Sequence, residues 1–171
     1  MIRLVKTFET DLVFPKCQSL YEEAFPKNER WAASPIKEDF GSTCYAAYKE
    51  GVFIGFISLL CEREVCHLVY FAILPELRGK GLGGEVLEGL KALVAPMKIM
   101  LDVEVPHKGN KDADKRRRRI VFYKRHGFTL TRTTYMWQGE EYAMMTYGGN
   151  ISKARWEEFW DMIQGRIKPR K

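Results

Sequence analysis

The sequence predicts an α/β fold, a mixed and mostly antiparallel sheet flanked by helices, on three observations. Residues 65–95 read as a strand, a glycine-rich turn and a helix. Two pairs of β-prone runs, on either side of Glu50-Gly51 and of Gln138-Gly139-Glu140-Glu141, read as hairpins and supply the antiparallel part. A chain of 171 residues, 46% of them hydrophobic, can bury one sizeable core. The whole of 1–171 is therefore expected to form one domain, with 1–149 as its core and 150–171 as a C-terminal amphipathic helix beyond the hinge Gly148-Gly149.

In chain order, Ile2 and Leu4 alternate with charged residues up to Phe8, as a half-buried first strand does. Asp11 can cap a helix that tolerates Pro15 in its first turn and presents Leu20, Tyr21 and Ala24 inward, and Pro26 stops it. A loop from Phe25 to Trp31 follows, then a short helix over Pro35 to Phe40. Thr43 to Lys49 and Val52 to Cys61 form the first hairpin, and Glu62-Arg63-Glu64 turns the chain into the central strand. There Val65, Val69, Tyr70, Phe71 and Ile73 belong to an almost unbroken apolar run, which suits a strand covered on both faces. Pro75 ends it. From Gly84 onward Val86, Leu87, Leu90, Leu93 and Val94 recur at helical spacing, which puts the glycines just ahead of a helix N-terminus. After Pro96, Ile99 to Val105 reads as a strand with Leu101, Val103 and Val105 on one face and Asp102 and Glu104 on the other. Pro106 to Asp114 is a polar loop and Lys115 to Arg125 a basic helix. The last hairpin joins Phe128–Trp137 to Tyr142–Tyr147. Ser152 can cap a final helix whose stripe of Trp156, Phe159, Trp160 and Ile163 must be covered, either by its own domain or by a second copy in a homodimer.

The glycine turn is suited to an anion, because the first N–H groups of a helix lack intrahelical partners and glycine carries no Cβ to keep a phosphate away from them. Arg78 and Lys80 add positive charge. Two motifs fit. Gly79, Gly81 and Gly84 satisfy G-x-G-x-x-G, with Asp102 or Glu104 near the distance of a ribose-binding acid in a dinucleotide fold. Against it, Leu74-Pro75-Glu76-Leu77-Arg78 separates the strand from the first glycine, and too little chain follows for a second nucleotide-binding half. The run Arg78-Gly79-Lys80-Gly81-Leu82-Gly83 also matches R/Q-x-x-G-x-G/A, and with Phe71 to Leu77 before it closely resembles the acetyl-CoA-binding core of the GNAT acyltransferases. Phe122-Tyr123-Lys124-Arg125-His126-Gly127-Phe128 is similar to that family's second signature, Y-x-x-x-G-F.

The resemblance covers nearly the whole chain. It implies the GNAT fold, acetyl-CoA as cosubstrate without a metal, and direct transfer of an acetyl group to a primary amine of a small molecule or peptide. It also implies that Phe71, Ala72, Ile73, Arg78, Gly79, Lys80, Gly81, Leu82, Gly83 and Gly84 hold the cofactor. Glu29, Arg30 and Trp31 lie in a segment that several relatives place over the acceptor, and would bind substrate; the plainer alternative is a surface loop pinned by Phe25 and Trp31.

An amine with pKa near ~10.4 must lose a proton before it attacks. His67 falls where histone-acetylating relatives carry a glutamate base, Glu104 ends the next strand, and Glu29 is a third candidate. His67 as a half-buried strand residue and Glu104 as a solvated strand end remain open alternatives. A backbone N–H near Phe71 to Ile73 can receive the charge that develops on the thioester oxygen. Tyr123 matches the family's general acid, which protonates the leaving thiolate; its alternative is an aromatic packed on the sheet. At the positions where many relatives carry Asn and Ala before that tyrosine, this chain has Arg116 and Arg119.

The net charge of +6 is concentrated in Lys115-Arg116-Arg117-Arg118-Arg119, read first as a solvated helix face, then as a partner for the CoA phosphates or an acidic acceptor. A nucleic-acid surface ranks last, since the run lacks interleaved aromatics. A non-catalytic acyl-CoA or nucleic-acid binding module is the alternative to an enzyme. Cys17, Cys44, Cys61 and Cys66 form no metal-spaced set and are expected to be reduced and mostly buried. With neither a membrane-length apolar run nor a signal-like start, the protein is expected in the cytoplasm and away from membranes.

Overall fold

The computed structural model describes residues 1–30, 34, 36, 37 and 41–167, the last by its backbone. Seven strands form one sheet: β1 (Ile2–Thr7), β2 (Thr43–Lys49), β3 (Val52–Glu62), β4 (Val65–Ile73), β5 (Lys98–Glu104), β6 (Thr129–Trp137) and β7 (Glu140–Tyr147), in the order β1-β2-β3-β4-β5-β7-β6. Every neighbouring pair is antiparallel except β4 and β5. The described helices are α1 (Phe14–Ala24), α2 (Leu82–Val94), α3 (Ala113–Arg125) and α4 (Lys153–Ile167). The fold expected from the sequence is therefore present, with most boundaries within a few residues.

Strand alternation assigns the helices to two faces. Ile57, Leu59, Cys66, Leu68, Leu101 and Val103 face α2, whose Val86, Leu87, Leu90 and Val94 are buried against them. On the other face α1 covers Ala46, Phe56, Tyr70 and Ala72, while α4 lays Phe159 and Ile163 on Leu60, Val65, Met100 and Met144. Of the apolar stripe of α4, Phe159 and Ile163 are thus covered by its own sheet, while Trp156 and Trp160 stay partly exposed.

Two features of β4 position the site. Its parallel pairing to β5 runs only from Val65↔Lys98 to His67↔Met100, so beyond His67 the two strands part. Against β3, Ser58 pairs with Tyr70 but Leu59 with Leu68, which leaves Val69 as an extra residue. Such a bulge breaks strand alternation. Val69 and Tyr70, consecutive in sequence, both join the α1 side of the sheet, while Phe71 and Ile73 pack on the α2 side.

Several expectations are corrected. Asp11 does not cap α1: the helix follows Val13, and the Asp11 carboxylate accepts from Phe8 N–H at 2.8 Å, closing the turn ahead of it. Gly83 and Gly84 lie inside the first turn of α2, with Gly81 as its cap. The last hairpin turns on Gln138-Gly139 alone, so β7 begins at Glu140. Cys61 and Cys66, expected to be reduced, are joined in a disulfide, because a turn on Arg63-Glu64 sets them directly opposite each other; Cys17 and Cys44 are free and buried. The hydrogen bond with the neighbouring Cys17 thiol, and then burial, push the Cys44 thiol up. The helix expected over Pro35 to Phe40 falls largely outside the described residues. No described helix is long and apolar enough to cross a membrane.

Candidate active site

At the end of β4 the chain turns through Pro75–Leu77 into the glycine segment. Arg78 Nε–H donates to the Ile73 carbonyl at 2.9 Å and fixes the exit from the strand. Gly79 and Gly81 have φ of 75° and 81°, in the left-handed region, and a Cβ on either would meet nothing within 4 Å. The segment therefore presents backbone to open space at the N-terminus of a 13-residue helix, as an anion cradle requires. Lys80 beside it is exposed. Gly83 and Gly84 do different work: a Cβ on Gly83 would lie 3.3 Å from the Phe122 ring, and one on Gly84 would run into the His126 ring. They let α3 approach α2 closely. Leu82 is buried in the core between α2 and the sheet, Phe71 packs on that same side, and Ala72 and Ile73 are buried at the strand end beside the gap.

Across the sheet, on the α1 and α4 side, is a cavity of about 640 Å³. His67, Val69 and Tyr70 of β4 and Asp102 and Glu104 of β5 form its floor, where the strands part. Trp156 and Trp160 of α4 make one wall, Tyr135, Trp137 and Tyr142 of the last hairpin another, and Glu29 and Arg30 stand in the loop after α1. The Tyr70 hydroxyl donates to the Glu29 carbonyl at 2.9 Å and holds that loop over the strand. Trp31, expected with them, lies outside the described residues.

At the inner end His67 Nε2–H donates to Asp102 Oδ2 at 2.9 Å, with the two side chains only 4% and 12% exposed. A carboxylate can only accept, so the neutral ring carries its proton on Nε2 and its lone pair on Nδ1. Among the described residues neither His67 Nδ1 nor Asp102 Oδ1 has a hydrogen-bond partner. Trp160 stands edge-on to the imidazole with ring centres 5.0 Å apart. Burial and the adjacent Asp102 push the Tyr135 phenol well above its usual range.

Glu104 stands differently. Its Oε2 is 2.8 Å from Arg116 Nη2 and its Oε1 3.1 Å from Arg119 Nη1, so both oxygens are held. Arg116 is 6% exposed and also meets Asp112 and Glu140. The arginine run, expected first as a solvated face, thus sends one member into a buried ion cluster, because α3 turns that side toward the end of β5. Arg117 pairs with Asp114 at the surface. Across the cavity the Glu29 carboxyl is pushed up by burial and then by Glu104, and makes no ion pair among the described residues. Burial, Glu104 and Glu29 push the Tyr142 phenol up to about 12.

Tyr123 is not in this cavity. It sits on the α2 side, its ring 5.2 Å from that of Phe122 and 5.6 Å from that of Phe128, and burial pushes its phenol up to about 12. Sequence reasoning brought His67, Glu104, Glu29 and Arg30 to one place; it missed Asp102 as the partner of His67 and the aromatic walls. Alternation along β5 placed Asp102 on the right face, and the α4 stripe already named Trp156 and Trp160. No cluster of metal-ligating side chains occurs among the described residues.

Comparison with known proteins agrees with this architecture. A family model described as the acetyltransferase (GNAT) domain matches residues 40–130, just over half of the chain. Among solved structures, a GNAT-family protein from Bacteroides thetaiotaomicron is 25% identical, with 99% of each chain covered and a TM-score of 0.80. An aminoglycoside 6'-N-acetyltransferase from Enterococcus faecium is 15% identical, covering 86% of this chain and 96% of its own at a TM-score of 0.63. A GNAT family acetyltransferase from Elizabethkingia anophelis, solved with acetyl-CoA bound, is 13% identical, covering 85% of this chain and 97% of its own at a TM-score of 0.56. No curated protein sequence matches.

Proposed function

The chain belongs to the GNAT acetyltransferase family and is an acetyl-CoA-dependent acetyltransferase, and on that premise we propose that it moves the acetyl group directly to a primary amine, with His67 as base. The observation that carries this reading is the His67–Asp102 pair, whose Nδ1 and Oδ1 are buried without partners in a cavity at the parting of β4 and β5. Each of these atoms is an acceptor, and an ammonium that reaches the pair can donate to the free Nδ1. His67 Nδ1 then takes one proton, and Asp102 holds the ring in the required tautomer and stabilises the cation that forms.

Acetyl-CoA supplies the activated acyl group. The open turn at Gly79 to Gly81 and the N-terminus of α2 would hold its phosphates, with Arg78 shaping the turn and Lys80 adding charge. Backbone N–H groups of β4 beyond His67 that point toward β5 have no strand partner there, and are free to meet the charge that develops on the acyl oxygen. As the amine nitrogen bonds to the acyl carbon, the carbon–sulfur bond breaks and the sulfur takes a proton. Tyr123 stays protonated at neutral pH and lies on the α2 side, which suits it to give that proton. The overall reaction consumes an ammonium and a thioester and yields an amide, a thiol and one released proton. With both oxygens of Glu104 held by arginines, its position favours a supporting role over that of base.

The test is release of free thiol from acetyl-CoA against a panel of primary amines. His67→Ala is expected to lower kcat by ~10²-fold or more, as removal of a general base does. Absence of turnover with every amine, or a variant with unchanged kcat, would overturn the reading.

A further inference from the structure

We propose that the acceptor is an arylalkylamine, a single ammonium carried on a flat aromatic body, selected by Trp156 and Trp160 of α4. The proposal rests on the reading of this cavity as the acceptor site. Charge decides how many cations the cavity takes. Elsewhere its lining carries two acids, Glu29 and Glu104, and two arginines, Arg30 and Arg119, and Glu104 is held by Arg116 and Arg119, so that region offers no net attraction to a second ammonium. At the inner end Asp102 lies against His67 and Tyr135, makes no ion pair with a lysine or arginine among the described residues, and leaves its Oδ1 unpartnered. One positive charge is wanted, and it is wanted beside His67.

The walls decide what carries that charge. Trp160 stands edge-on to His67, and the Trp156 ring lies 5.4 Å from that of Tyr135, which in turn stacks on Tyr142 at 5.5 Å. Faces of this kind favour a flat apolar body and a nearby cation. They would strip water from the hydroxyls of a sugar without replacing its hydrogen bonds. One polar anchor remains in the wall: Trp156 Nε1–H is buried and has no partner among the described residues, so it can donate to an oxygen on the acceptor's ring. Both tryptophans lie beyond residues 40–130, outside the part of the chain that matches the family model.

The helix is held firmly enough to act as a wall. Arg155 Nη2 donates to Glu62 Oε2 at 2.6 Å and Arg155 Nε to Glu64 Oε1 at 2.7 Å, and Ser152 Oγ caps the helix by accepting from Arg155 N–H at 3.1 Å.

Calorimetric titration of the full chain saturated with CoA, which permits no turnover, tests this with three probes: 2-phenylethylamine, 1,4-diaminobutane and kanamycin. The arylalkylamine is expected to bind at least about tenfold more tightly than the other two, and Trp160→Leu to cost at least about tenfold of that affinity while leaving CoA binding unchanged. Trp156→Leu gives a second reading on the same wall should Trp160→Leu fold poorly. Equal or tighter binding of the diamine or of kanamycin, or wild-type affinity in both leucine variants, would overturn the proposal. Tight binding of 2-phenylethylamine without its acetylation in the presence of acetyl-CoA would support this inference and count against the reaction proposed above.

Discussion

His67 Nε2 lies 2.9 Å from Asp102 Oδ2, although the register sets His67 opposite Met100 and Asp102 lies further along β5, beyond the last parallel pair. The proposed base and its carboxylate thus meet diagonally across the place where β4 and β5 part. Asp102→Asn keeps the shape but can turn an amide N–H toward Nε2, which forces the wrong tautomer. We expect kcat to fall ~10²-fold with the acceptor KM little changed. A loss confined to KM would make Asp102 a binding residue only.

Arg116 is the keystone of the buried charges. Arg116→Met would leave Glu104 without its closest partner at a site only 9% exposed. Removing one member of a buried pair costs about 3–5 kcal/mol, or ~10 °C in a chain of this size. Thermal unfolding measures it. A shift below about 2 °C would show that water or Arg119 replaces the lost partner.

The glycine turn can be tested with a matched pair. Gly81 has φ of 81°, which Asn and Asp tolerate better than other residues. Gly81→Asp places a carboxylate at the proposed phosphate cradle and should weaken CoA binding by at least about tenfold. Gly81→Asn, of the same size but neutral, should weaken it far less. Equal affinities in the two variants would remove the electrostatic argument for the cradle.

Tyr123, pushed up to about 12 by burial, stays protonated in the folded protein where an exposed phenol would ionise near 10. Its folded pKa is raised, so its contribution to stability is intact below pH 10 and is lost as pH rises from 10 toward 12. Tyr123→Phe should flatten that alkaline loss in a pH series of unfolding measurements. If the hydroxyl is also the acid, kcat should fall ~10²-fold near neutrality, with the deficit shrinking at higher pH where free thiolate is stable. Wild-type kcat in the variant would leave Tyr123 as a packing residue.

Arg155 joins α4 to the turn between β3 and β4. Its hydrogen bond holds the Glu64 carboxyl down at about 2, against an ordinary value of 4.5. The folded value is lowered, so this contribution is present above pH 4.5 and fades as pH falls toward 2. Arg155→Leu should raise the acceptor KM while leaving the KM for acetyl-CoA alone, and Arg155→Lys should restore part of the loss. Equal rises in both constants would indicate general loosening of the fold.

What could be read in advance followed from local pattern. The buried run of β4, the turn signals and the period of α2 each lie within a few residues, and they located the fold and the glycine turn proposed to hold the cofactor. Glu104 and Asp102 shared a face by simple alternation. The partner of His67 depended on the register of a distant strand and on where the two strands part, and no local pattern encodes that. Arg116 looked like its neighbours in the run because the three acids that bury it come from β5, β7 and the turn before α3. Cys61 and Cys66 were legible in principle: a turn on Arg63-Glu64 pairs them, whereas a turn of three residues puts them out of register. Gly55 gave no signal at all, yet a Cβ there would run into the carbonyl of Ala72.

The parting of β4 from β5 makes the sheet a doorway with a porch on each side. The glycine turn opens toward the α2 side and the aromatic cavity toward the α4 side, so the two substrates arrive by separate roads and meet only at the threshold. On this arrangement neither stands in the other's way. Arrival and departure are then uncoupled: amine can wait on a chain empty of CoA, amide can leave before or after the thiol, and initial-rate plots for the two substrates should intersect rather than run parallel.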